Sequence, residues 1–416
     1  MNRGTLEDRE LGFGRVLINF RLNTGGEMWR IEKSRKQFFV DCGNPEENFW
    51  KTLFEQSGHQ NLIEGDKYSE FLAWKPDRSN CPELDIAAKN LLESAPVEWM
   101  ATMRNIFVAR SFKGDVNAEA SSFRGAGIIE LNYGFTLAAM IYSTLFSHFY
   151  DAIRAAGREV DWNYDDTAVT EMIVEELERA AFEPIEVTDR EVQTWAANRH
   201  VVATHPLQIE LPKQRTQGEH HNLVLAIEEF AIGHEYCHHM LGHTDSAFRH
   251  TQAARGAVTD WLDRIGWSNL TSALNEDQVE ELEADVGSFL LLSGVLSDNV
   301  SRSRIYRAVG GSMIGLVALS HANDTWLSGG ESHPDFLTRY EVMHRLIKKL
   351  VMDMPIGVSD DHPMGFLIQI RGFISAILQT RASNTGGDFK KPNFLNVFSW
   401  MIDQEVEFKE ELKSKE

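Results

Sequence analysis

Basic residues are scarce in this chain: 41 Lys and Arg stand against 62 Asp and Glu, a formal net charge of −21. That balance argues against nucleic acid and against anionic membrane surfaces as main partners, and it leaves room for a basic protein partner. Cysteine is equally sparse. Cys42, Cys81 and Cys237 cannot all pair, so reduced thiols in a reducing compartment are expected, and the expected location is the cytoplasm. The opening M-N-R-G-T-L-E-D-R-E is too polar for a secretory signal. Long apolar runs are missing too. Residues 131–150 carry no formal charge over a length that can cross a bilayer. Asn132, Thr136, Ser143, Thr144, Ser147 and His148 interrupt that stretch, and Gly134 breaks its start. It reads as a strand end followed by a buried helix, so no membrane is expected as a partner. No internal repeat or low-complexity tract stands out.

What remains is the composition of a globular protein: 416 residues, 43% hydrophobic and 25% charged. Residues 1–104 read as a mixed α/β region, strand-like over 15–20 and 37–41 and helical over 85–92. Residues 105–350 read as the main domain. It has strand-like runs at 106–109 and 127–133, a helix over 135–153 and another over 246–265. An acidic insertion of about residues 158–215 interrupts it, read as a solvated helix face. Residues 351–416 read as a C-terminal helical region, with a loop over 382–392 and an amphipathic helix over 393–412.

Residues 231–243 read A-I-G-H-E-Y-C-H-H-M-L-G-H and contain H-E-x-x-H: His234, Glu235 and His238. On a helix, residues four apart share a face, so two imidazoles at that spacing can hold one metal ion. Glu235 lies beside them and can take a proton from a metal-activated water. Leu223, Ile227, Phe230, His234, His238 and Leu241 run in steps of three and four, so the histidines continue an apolar face. Gly242 is placed to end the helix. Cys237 lies off the line between the histidines and reads as a small core residue.

Two histidines leave a catalytic zinc one protein ligand short. Residues 276–292, E-D-Q-V-E-E-L-E-A-D-V-G-S-F-L-L-L, supply a helix on which Glu281 and Asp285 are four apart, away from the core face of Val279, Leu282, Val286, Phe289 and Leu290. That spacing suits a carboxylate ligand followed one turn later by an acid that accepts the free N–H of a ligand histidine. Glu280 and Glu283 are alternatives, and His243 competes as a ligand. A metzincin arrangement would need glycine at 241 and histidine at 244, where the chain has Leu241 and Thr244.

H-E-Y-C-H followed by E-L-E-A-D resembles the gluzincins, zinc peptidases whose third ligand is a glutamate in an E-x-x-A/S-D helix. N-A-E-A followed by G-I-I-E-L-N-Y-G-F is similar to the strand order of the CAAX prenyl protease and HtpX family. S-H-P-D-F-L-T-R, residues 332–339, is similar to that family's T-H-P-P-x-x-x-R, with Asp335 in place of the second proline. H-H-M-L-G-H also resembles the ImmA/IrrE-type proteases. The acidic insertion and the lack of membrane spans depart from the CAAX protease pattern.

The resemblance implies an α+β, helix-rich, zincin-like metallopeptidase fold with a small sheet, in which residues 128–133 would be the strand edge for an extended peptide. Zn2+ would be bound by His234, His238 and Glu281, with Asp285 orienting a ligand histidine and Glu235 as general base. His333, Arg339 and Tyr340 are its candidates for stabilising the oxyanion; for Arg339, pairing with an acidic helix is the other role. The expected activity is zinc-dependent hydrolysis of an intracellular protein or peptide substrate. The alternative is a non-catalytic zinc-binding protein whose acidic insertion docks a regulatory partner. A further expectation is that this insertion, together with the N-terminal region, covers the cleft.

Overall fold

The computed structural model describes residues 25–42, 46–56, 60–65, 69–123, 126–156, 217–244, 252–323, 325, 329–353, 366–367 and 370–374. The strand expected at 15–20, the acidic insertion, the loop at 382–392 and the final helix at 393–412 lie outside them.

The described chain is helix-rich with one small mixed sheet, an α+β arrangement. The first helices are α1 (Gly25–Asp41), α2 (Phe49–Gln56), α3 (Pro82–Ser94) and α4 (Val97–Met103). Strands β1 (Ile106–Ser111), β2 (Ala118–Phe123) and β3 (Ala126–Asn132) follow, then α5 (Tyr133–Ala156) and α6 (Gln217–Leu241). The last elements are α7 (Gln252–Arg264), α8 (Glu276–Ser293), α9 (Arg302–Ala322) and α10 (Phe336–Asp353). Residues 37–41, expected as a strand, are the last turn of α1. The reason is packing at helical spacing: Ile31, Ser34, Phe38 and Phe39 are buried on one face.

The sheet order is β1-β3-β2. β1 runs parallel to β3, with Ile106 opposite Gly127, and β2 runs antiparallel to it, with Ala118 opposite Leu131. β3 is therefore the central strand, which corrects the expectation that residues 128–133 form an open edge. Its nearly continuous burial belongs to a strand covered on both faces and paired on both sides. The edge on the site side is β2, whose burial alternates.

Side chains alternate across the sheet. Phe107, Ala109 and Ile128 meet α1 on one face; Ile106, Val108, Ile129 and Leu131 join the main core on the other. That core is continuous across residue 104, since Phe49, Leu84, Leu91 and Trp99 share it with Ile227, Phe230 and Leu290. Among the described residues no helix is long and apolar enough to cross a membrane.

Helix α6 is the axis of the fold and packs against α3, α5, α8, α9 and the sheet. Small residues set how closely α8 approaches it. A Cβ on Gly287 would lie 2.7 Å from Cys237 Sγ, and a Cβ on Gly233 would lie 2.6 Å from Ser288 Oγ. Ser288 donates from Oγ to the Phe230 carbonyl at 2.7 Å. Cys237 is thus a packing residue at the seam of the two helices. A buried ion pair ties α6 to the sheet: Arg110 of β1 donates to Glu228 Oε1 at 2.6 Å, and Thr136 donates to the same oxygen at 2.7 Å.

Candidate metal centre

The i, i+4 spacing on α6 and the close approach of α8 bring His234, His238 and Glu281 together. The two Nε2 atoms are 3.0 Å apart. Glu281 Oε2 lies 3.3 Å from His234 Nε2, and Glu281 Oε1 lies 3.3 Å from His238 Nε2. One ligand atom from each residue falls within 4.8 Å of the others, and this is the metal-competent cluster among the described residues. Two donors held by one tetrahedral zinc at about 2.0–2.1 Å are about 3.3 Å apart, so the donor set fits such an ion.

The outer atoms of both imidazoles are occupied, which leaves their Nε2 atoms facing Glu281. His234 Nδ1 lies 3.0 Å from Asp285 Oδ1. Asp285 in turn accepts from Arg339 Nε and Nη2, both at 2.7 Å. Burial alone would raise the Asp285 carboxyl, but Arg339 and His234 outweigh it and hold the group below the usual carboxylate range. An ionised carboxylate only accepts, so His234 carries its proton on Nδ1. His238 Nδ1 faces His243 Nδ1 at 3.1 Å.

Burial opposes charge on His234, yet its bonds to Asp285 and Glu281 push its pKa up to about 10. Burial likewise opposes the charge on Glu281, while His234 and His238 hold it far below the usual range. Glu235 is buried on α6, and desolvation raises its pKa against the pull of the two histidines.

These residues line a cleft of about 610 Å³. Its other wall is residues 115–120, which lead into and begin β2, so the sheet edge runs alongside the candidate ligands. Glu235 and His333 both face the cleft. His333 Nε2 lies 3.4 Å from Glu281 Oε2, with its side chain 51% exposed. Its loop is tied to the start of α8, where Asn275 donates to the Glu331 carbonyl and Gln278 to that of Gly330. Arg339 lines the cleft too, but two of its nitrogens are committed to Asp285, so the structure gives it the role of pairing with an acidic helix. Tyr340 packs against Phe336 and His344 and is not brought to the cleft.

No family model, curated protein or solved structure matches this chain. The chemistry of the site rests on its geometry.

Three features escaped the sequence. Asp335 caps α10, accepting from the Thr338 N–H at 2.9 Å, which accounts for an acid at the position where the resembled motif has proline. His239 is a core residue: its Nε2 lies 3.3 Å from the Ile128 carbonyl and its Nδ1 2.9 Å from Thr244 Oγ1, and burial lowers its pKa to about 4. Glu283, one of the open alternatives, pairs with His243 at 3.2 Å. Helix-start chemistry was available at Asp335; nothing local announced the other two.

Proposed function

We propose that this chain is a zinc-dependent endopeptidase of the gluzincin type. His234, His238 and Glu281 hold the ion. The observation that carries the proposal is the convergence of three donors at 3.0–3.3 Å beside a buried glutamate, in a cleft flanked by the start of β2, an edge strand among the described residues. Zinc at such a site polarises a scissile carbonyl and lowers the pKa of water.

The protein's own groups do the rest. Glu235 takes a proton from the attacking water on a carboxylate oxygen and returns it to the leaving amine. Its raised pKa suits both halves of that transfer. Asp285 keeps the His234 proton on Nδ1, and Arg339 keeps Asp285 in place. Ala118, Glu119 and Ala120, where β2 forms the edge of the sheet among the described residues, line the cleft, and an extended peptide is the substrate class that an edge strand along a cleft accommodates. His333 Nε2 is the side-chain donor for the oxyanion. Three free thiols, two of them buried, suit a cytoplasmic protein.

The alternative, a structural zinc site in an interaction protein, needs a closed fourth position. The candidates for it are used elsewhere: Cys237 against Gly287, His243 against His238 and Glu283. The test is N-terminal proteomics on cells carrying the wild type or Glu235→Gln. New protein termini that depend on Glu235, with zinc retained in the variant, are the expected result. Identical termini in both strains reject the peptidase.

A further inference from the structure

Each imidazole in the site has two nitrogens, and a ligand histidine works only if the outer one holds the proton. Asp285 settles this for His234. We propose that His243, backed by Glu283, is the positioning residue that settles it for His238; this rests on the zinc reading above. The arrangement begins in the backbone. Gly242 adopts φ +82, the left-handed conformation that ends helices. The His243 N–H then donates back to the His238 carbonyl at 2.9 Å, the outer bond of a Schellman turn. This turn folds the His243 ring over the helix end, beside His238, with its side chain only 3% exposed. The spacing of H-H-M-L-G-H is what allows it: a glycine four residues after His238, and the second imidazole immediately after that glycine.

The proton positions follow from one acceptor-only group. Glu283 Oε2 lies 3.2 Å from His243 Nε2. Arg255 Nη2 lies 3.7 Å from the same oxygen. A carboxylate only accepts, so His243 Nε2 carries hydrogen. In the tautomer that carries its hydrogen on Nε2 the ring leaves Nδ1 bare, and that atom is 3.1 Å from His238 Nδ1. His238 Nδ1 must therefore be the donor, and its Nε2 presents a lone pair toward His234 and Glu281. The bond reaches the outer nitrogen of His238, so His243 acts through a ligand and is not one itself. E-L-E-A-D thereby supplies three carboxylates with three tasks: Glu281 as ligand, Asp285 behind His234, and Glu283 behind the histidine that holds His238.

The test uses the full chain, zinc-loaded, with 15N-labelled histidine. The wild type is expected to show scalar coupling between the two Nδ1 atoms across the N–H···N bond. Zinc affinity, read by competition with a chromophoric chelator, is expected to fall roughly ten- to a hundred-fold in His243→Phe. His243→Gln, whose carbonyl oxygen accepts a hydrogen bond, is expected to restore most of it, which a purely structural role would not do. Glu283→Gln, expected to weaken zinc about tenfold, serves if the His243 variants fail to fold. Missing coupling in the wild type, unchanged affinity in His243→Phe or Glu283→Gln, or equal losses in His243→Phe and His243→Gln overturn the inference. A wild type that binds no zinc overturns the metal reading and this inference together. A zinc-binding wild type with unaffected variants overturns this inference alone.

Discussion

Gly287→Ala probes the spacing on which the site depends. The new Cβ would lie 2.7 Å from Cys237 Sγ and 3.3 Å from Cys237 Cβ. Contacts between such atoms begin near about 3.5 Å, so the overlap is roughly 0.8 Å. Overpacking of this kind costs about 1–3 kcal/mol, while replacing glycine by alanine within a helix returns about 1 kcal/mol. The net loss of stability is therefore about 0–2 kcal/mol, and the chain still folds. The metal site is less forgiving. Glu281 stands six residues from Gly287 on α8, and His234 and His238 flank Cys237 on α6. Moving α8 outward by the overlap shifts the carboxylate by about four times the roughly 0.2 Å that zinc coordination tolerates. Zinc affinity should fall on the order of tenfold. Cys237→Ala removes the sulfur, so the double variant should regain most of the affinity, with a coupling of about 1 kcal/mol or more between the two positions. The assays are chelator competition for zinc and denaturant unfolding for stability. A Gly287→Ala protein that binds zinc within twofold of wild type, with effects that simply add to those of Cys237→Ala, refutes the idea that this seam sets the site.

Asp285→Ala should weaken zinc roughly ten- to a hundred-fold while leaving some hydrolysis, checked by the same competition assay. Zinc binding at pH 8 should expel about one proton, because His234 in the metal-free chain is protonated up to about 10 and a ligand nitrogen must be bare. The release should vanish as pH rises through that value, and calorimetry in buffers of different ionisation enthalpy measures it. In the metal-free chain the same raised pKa stabilises the fold, fully below the ordinary imidazole range and not at all above about 10. Glu228→Ala should cost about 3–5 kcal/mol in urea unfolding, because it strands the buried Arg110 guanidinium.

The legible parts were those where chemistry repeats at helical spacing. His234 and His238 on one helix, and Glu281 and Asp285 on another, stand four apart, and the structure brings all four to one place. β1 and β3 were visible as apolar runs. The sheet order was not, because a strand's neighbours are set by distant packing; β3 looked like an edge although its continuous apolar character belongs to a centre. A window of five residues at 37–41 showed Phe38, Phe39 and Val40 as strand formers, and only the longer spacing from Ile31 reveals the helix. Arg339 on Asp285 and Glu283 on His243 join positions far apart in the chain, and no local pattern encodes them.

Elemental analysis of the purified chain bears most directly on the three-ligand site. The wild type should carry one zinc per chain, and His234→Ala, His238→Ala and Glu281→Ala should each lose it while staying folded. A wild type without metal, or three variants that keep full occupancy, contradicts the assignment of this site.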